Sequence, residues 1–218
     1  MGFRFDFGYS FEEDDMEMKA HYFELLDQTQ EYAREFFRDS VGYFQIENKF
    51  DKRIDDEILP IYCYDLVMSN FQGLETLEFI DGGFQASINN KQSIIYIGID
   101  MMEDELSERN KQTIRHEICH YCLWVNDMGC NDDDLDFWCY AYMFDAHPYM
   151  PLSEDDQERF IIFKKTYDKY VKDLHRFEKM YTVALMMKRI HDEDLNTFEA
   201  QTAVDAALIT EFYKQAFK

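Results

Sequence analysis

Basic residues are scarce in this 218-residue chain: 22 lysines and arginines stand against 45 aspartates and glutamates, for a formal net charge of -23. Such a surface repels phosphates, so direct DNA or RNA binding is disfavoured. Proline and glycine are also few, at three and eight residues, while hydrophobic residues reach 46% and aromatics 17%. That balance excludes long disorder and supports a sizeable core. No run of about 18 apolar residues occurs, so no membrane span is expected. The start of the chain, Met1 to Asp6, lacks a basic region followed by an apolar run, and no signal peptide is expected. Asp6 stands where a myristoylation motif requires Ser or Thr. A cytoplasmic location is the default. The five cysteines (Cys63, Cys119, Cys122, Cys130, Cys139) form an odd set without framework spacing, as free thiols in a reducing compartment do. Cys119 and Cys122 read CxxC, but inside a predicted helix, where a metal knuckle or redox pair would need a turn.

Acid is abundant and dispersed, with clusters at Glu12–Glu17, Asp132–Asp136 and Glu154–Glu158. Most such surfaces are solvated faces. The charge also suits a basic partner, or a surface that imitates DNA towards a DNA-binding protein.

Residues 11–38 have helical patterning, with Met18, Tyr22, Leu25, Leu26, Ala33, Phe36 and Phe37 near one stripe and Gly42 expected as the stop. Between residues 60 and 100 the character changes to short β-rich runs at Pro60–Leu66, Leu77–Ile80, Phe84–Ile88 and Ser93–Ile99. Asp81-Gly82-Gly83 and Asn89-Asn90 are turn signals between them, so a small antiparallel meander is predicted. A helix starting at Asp104 or Ser107 is expected to run to about Val125, with Gly129 after its end. Leu135–Phe144 is a further predicted helix, ending near His147-Pro148. Ser153 then resembles an N-cap, with two or three helices following and a break around Asp192–Leu195. The organisation expected is a domain over residues 1–150 and an acidic helical extension over 151–218, in the α+β class.

Within the second of these predicted helices lies His116-Glu117-Ile118-Cys119-His120, an HExxH pattern. Residues four apart share a helix face, so two imidazoles can grip one metal ion. Glu117 is rotated about 100° from His116, near enough to accept a proton from a water activated there. Thr113, His116, Glu117, His120 and Leu123 share one sector, while Ile114, Ile118 and Cys122 occupy much of the opposite side. That is the pattern of a helix packed between a sheet and a cleft. Arg115 points away from the histidines. Tyr121 and Trp124 read as core or cleft wall, His147 as a turn or cap residue, and His21, His175 and His191 as surface residues on charged helices.

The block from Thr113 to Trp124, with Gly82-Gly83-Phe84 and the strand at Ile94–Ile99 before it and Gly129 and Asp136-Phe137 after it, resembles the SprT-like zinc metalloprotease family. That family's helix commonly reads HELCHYHL. The resemblance covers residues 76–140 and implies a zincin-like domain: a small antiparallel sheet, an HExxH active-site helix, Zn2+ as cofactor, and Glu117 as general base. His116 and His120 are then metal ligands. The family's third ligand is a histidine shortly after the glycine, and Asp132 holds that position here. Zinc accepts a carboxylate oxygen, and three protein ligands leave one place open. An anion in place of a neutral imidazole makes the ion a weaker Lewis acid and loosens the preference for zinc over a harder ion. Asp133, Asp134 and Asp136 are neighbouring alternatives. The chain also resembles ImmA/IrrE-like metallopeptidases, which draw the third ligand from an acidic residue opening the next helix, here Asp136. The basic tail or zinc-ribbon extension frequent in the SprT-like family is not expected here, where an acidic helical segment stands in its place.

Two functional expectations follow. One is a zinc-dependent peptidase acting on protein or peptide substrates, with basic segments such as those of DNA-binding proteins favoured by the negative surface. The other is a binding or inhibitory protein on a weakened metalloprotease scaffold, using its carboxylates to fill a nucleic-acid groove.

Overall fold

A computed structural model describes residues 16–44, 61–65, 82–85, 94–99, 105–191 and 195–216. Among these the chain is mostly helical, with α1 at Met16–Phe44, α2 at Glu108–Val125, α3 at Leu135–Met143, α4 at Glu154–Tyr170, α5 at Arg176–Ile190 and α6 at Phe198–Ala216. Three strands, β1 at Ile61–Asp65, β2 at Gly82–Gln85 and β3 at Ile94–Ile99, form one sheet in the order β1-β3-β2. The expected strand at Leu77–Ile80 and the turn at Asn89-Asn90 lie outside the described residues, as does the side chain of Cys63. No described helix is long and apolar enough to cross a membrane.

The sheet departs from the expected antiparallel meander. β2 pairs antiparallel with β3, Gly82 opposite Ile97 and Gln85 opposite Ile94. β1 runs parallel to β3, Ile61 opposite Ile95 and Asp65 opposite Ile99. A parallel pair needs a long crossover rather than a hairpin, and the chain between β1 and β3 is long enough to supply one. β2 comes from within that crossover and takes the far edge, which leaves β3 central. Its period-two residues Ile95 and Ile97 are buried, and both β2 and β3 pack against α2.

The apolar stripe of α1 is buried as patterned: Tyr22, Leu25, Leu26, Ala33 and Phe37 all lie in the core. The helix does not stop at Gly42, however, but continues to Phe44. A Cβ at Gly42 would stand 2.5 Å from Met180 Cε of α5, the flexible end of a side chain that can move aside. Phe44 in turn stacks on Tyr140 of α3, with centroids 4.4 Å apart.

α2 begins where local chemistry predicts. Ser107 has extended backbone angles and its hydroxyl accepts from the Asn110 amide at 3.2 Å. At its other end the left-handed residue is Asp127, with φ of 55°, rather than Gly129. The Asp127 amide donates to Trp124 O at 3.2 Å and the Met128 amide to Leu123 O at 3.1 Å, a Schellman closure. Gly129 serves a different end: a Cβ at this residue would press on the Asp134 side chain at 3.1 Å. Ser153 caps α4 through the Asp156 amide at 3.2 Å. The C-terminal helices pack on the rest of the chain, α4 against α3 and α5 against α1.

Candidate metal centre

One side of α2 carries Ile114, Ile118 and Cys122, fully buried in the core. The other side carries His116 at 2% exposure, His120 at 7% and Glu117 at 2%, buried although polar. Buried polar groups need partners, and the imidazoles find theirs in backbone carbonyls from two different loops. His116 Nδ1 donates to His147 O at 2.7 Å, and His120 Nδ1 donates to Cys130 O at 2.5 Å. A carbonyl can only accept, so each Nδ1 carries the proton and each Nε2 of a neutral ring carries a lone pair. These two Nε2 atoms stand 2.8 Å apart.

Asp132 completes the convergence. Its Oδ1 lies 3.2 Å from His116 Nε2 and 3.8 Å from His120 Nε2. Three electron-rich atoms thus face one point, with edges of 2.8, 3.2 and 3.8 Å. Ligands about 2.0–2.1 Å from a tetrahedral ion stand about 3.3 Å apart, so the donor set fits a small divalent cation. Asp132 is itself held at both ends: Tyr149 N donates to its carboxylate Oδ1 at 3.4 Å, and Trp138 Nε1 donates to its backbone carbonyl at 2.8 Å.

Glu117 belongs to the same cluster, since ligand atoms of His116, Glu117 and His120 lie within 4.8 Å of one another and could hold a metal ion. Two triads therefore share the histidines. Asp132 makes the closer approach, whereas Glu117 Oε1 stays 3.9 Å from His116 Nε2 and Glu117 Oε2 is buried without a hydrogen-bond partner. A carboxyl beside the cluster with one unpartnered buried oxygen suits proton transfer better than ligation.

The electrostatics separate the groups further. Burial, then the charge of Asp132, push the Glu117 carboxyl well above the usual range. Burial and then His116 bring the His120 imidazole down to about 4, so it is neutral at physiological pH. Burial works against ionisation of Asp132, but the proximity of His116, then of His120, and the Tyr149 amide outweigh it and hold that carboxyl below its ordinary value.

Aromatic side chains wall the site. Phe137 of α3 stacks on His120 with centroids 4.1 Å apart and meets His116 edge-on at 4.8 Å. Phe84 of β2 lies parallel to His120 at 6.4 Å and also contacts Tyr121 and Trp124. Tyr149 approaches His116 at 4.5 Å from the exposed side.

The remaining acidic candidates face elsewhere. Asp133 is exposed, and Asp134, at the N-cap position of α3 without a side-chain cap bond, accepts the Asn131 amide on Oδ2 at 2.7 Å. Asp136 has both oxygens engaged away from the imidazole pair: Oδ2 accepts from Gly129 N at 3.1 Å, and Oδ1 takes a bond from His191 Nε2 at 2.7 Å. His191 is thus more than the surface residue its charged helix suggested. Arg115 does turn away, bonding Tyr32 Oη at 2.9 Å, Glu108 at 2.7 Å and Asp145 at 3.3 Å. Cys119, Cys122, Cys130 and Cys139 are free, and burial pushes all four thiols up, so they are poor thiolate ligands.

Several supporting groups escape sequence reading. The Cys130 and His147 carbonyls carry no residue-type signal, because every residue has one. Phe137 was visible beside Asp136 as an aromatic, but its partner ring lies in another element.

A buried pair of oriented imidazoles with two carboxylates defines a protein that could hold a divalent metal ion on an HExxH helix. At the level of relatives, the chain is 28% identical over 64 residues, 29% of its length, to proteins described as "Protein SprT-like" from Streptococcus thermophilus. Three strains carry such a relative: ATCC BAA-491 / LMD-9, CNRZ 1066 and ATCC BAA-250 / LMG 18311. The match covers 44% of each relative, so the chain spans under half the length of the curated relatives it matches. No protein-family model and no solved structure matches the chain.

Proposed function

We propose that this protein is a zinc-dependent metallopeptidase in which His116, His120 and Asp132 hold the ion and Glu117 is the general base. One observation carries the reading: two buried Nε2 atoms and one carboxylate oxygen converge beside a second carboxyl that has a free, desolvated oxygen. The local similarity to SprT-like proteins supports it. When bound, the ion supplies Lewis acidity and lowers the pKa of water near it.

The chain's own residues do the rest. His116 and His120 are fixed in the required tautomer by the two carbonyls, and Asp132 supplies the compensating negative charge. Glu117 takes the proton of the attacking water at Oε as the C–O bond forms. It returns that proton to the leaving amine nitrogen as the C–N bond breaks. Its raised affinity for a proton, set by burial, suits both halves of that exchange. Phe137, Phe84 and Tyr149 exclude water around the rings. With a net charge of -23, basic protein segments are the favoured substrates.

The test is metal content together with peptide cleavage. Purified protein should carry stoichiometric metal, lost in His116→Ala and His120→Ala. Glu117→Gln should keep the metal and lose cleavage of basic peptides. Metal-free wild type under metal-replete conditions, or a Glu117→Gln variant as active as wild type, would overturn the reading.

A further inference from the structure

We propose that His191, at the C-terminal end of α5, is a positioning residue for the candidate metal centre, acting through the Asp136 carboxylate on the loop from Gly129 to Asp134. The inference rests on the metal-centre reading above. Asp136 is only 8% exposed and spans two parts of the chain far apart in sequence. Its Oδ2 receives the Gly129 amide at 3.1 Å, and its Oδ1 receives His191 Nε2 at 2.7 Å, across a separation of 55 residues.

The loop so gripped contributes two groups to the centre. Cys130, next to Gly129, offers the carbonyl that orients His120, and Asp132 presents its Oδ1 to both imidazoles. The downstream half of the loop is secured by short-range contacts. Asp134 Oδ2 takes the Asn131 amide and side-chain amide, and Trp138 Nε1 holds the Asp132 carbonyl. For the upstream half, the Gly129 amide is held by Asp136.

A nearly buried carboxylate oxygen left without a donor carries its full desolvation cost, so each oxygen of Asp136 needs a partner. His191 supplies the second donor from the C-terminal helices. Its side chain is 53% exposed, so the imidazole itself is easily reached by solvent while the carboxylate it holds is not. Removing His191 leaves Asp136 with one neutral donor, and the carboxylate then gains by turning towards water and releasing Gly129 N. His120 would lose the fixed position of its Cys130 acceptor as a result. The C-terminal segment thus contributes to the centre without supplying a ligand.

The test compares full-length wild type with His191→Leu and His191→Gln. The Gln amide can still donate to Asp136, whereas Leu keeps the bulk and loses the donor. In metal-free protein, amide hydrogen exchange at Gly129 to Asp132 should accelerate in His191→Leu and stay near wild type in His191→Gln. The dissociation constant for Zn2+, measured by competition with a chromophoric chelator, should rise about ten- to a hundredfold in His191→Leu and be largely restored in His191→Gln. Unchanged Gly129 exchange and unchanged Zn2+ affinity in the Leu variant would overturn the inference. So would accelerated exchange throughout α5 and α6 with Gly129 unaffected, since His191 would then serve only its own helices. If wild type binds no Zn2+, the metal-centre reading falls, and Gly129 exchange still decides whether His191 clamps the loop.

Discussion

The two faces of α2 are buried to the same degree and do opposite things. Ile114, Ile118 and Cys122 bury apolar surface in the core, where each isoleucine stabilises the fold by about 1.5–3 kcal/mol. His116, Glu117 and His120 occupy equally dry positions at the cost of desolvation, offset by two carbonyl hydrogen bonds for the imidazoles and by none for Glu117 Oε2. A helix needs no such second face to be stable. The difference teaches that one face builds the molecule and the other is retained for what it can do, because an orphaned buried carboxylate oxygen weakens a fold.

The largest effect should come from breaking the polar face without disturbing its shape. Glu117→Gln should lower peptide cleavage about 10²- to 10⁴-fold, measured as kcat/KM on a basic peptide. Its stability to urea should equal or exceed that of wild type, since a desolvated carboxyl is removed. The apolar face should answer in reverse: Ile118→Ala should lose about 2–5 kcal/mol in urea unfolding, with Zn2+ still bound at saturating concentration.

Asp132→Asn sharpens the contrast within the polar face. It keeps the shape and the contact to Tyr149 N but loses the anion, and Zn2+ affinity should fall at least about tenfold by chelator competition.

The smallest effects are those of pH, and they differ in sign. The His191 imidazole is raised above 6.5 by its hydrogen bond to Asp136, against desolvation. Its contribution is therefore complete below 6.5 and lost as pH rises through the raised folded value. Asp132 is held below its ordinary 3.8, so its contribution is present above that value and lost as pH falls through the folded one. Urea unfolding of wild type at a series of pH values should show both slopes, and His191→Gln should remove the upper one.

Local chemistry was legible in the sequence, and long-range pairing was not. Ser107 and Ser153 announce their helices because a cap is an interaction over three residues. The HExxH spacing places both histidines on one face for the same reason. Gly42 misleads as a helix stop because α1 runs on to Phe44, whose ring stacks on Tyr140 in another helix. β1 cannot be assigned as parallel to β3 from pattern alone, since both orientations alternate equally well along a single strand. Asp136 looks like a ligand beside an HExxH helix until His191 is found on it. In that acidic run, identical carboxylates were distinguishable only by where the backbone turns between Gly129 and Leu135.

The imidazoles are aimed by main-chain oxygens at positions 130 and 147 rather than by side chains. A main-chain oxygen survives any point substitution that leaves the chain path intact. Cys130 and His147 are therefore free to drift in identity, and a comparison of relatives that scores letters would pass over both. A one-residue insertion or deletion on either side of them would shift the acceptor away from its ring and switch the tautomer. The vulnerability of this centre is thus written in spacing, where length variation is the damaging event and spelling changes are silent.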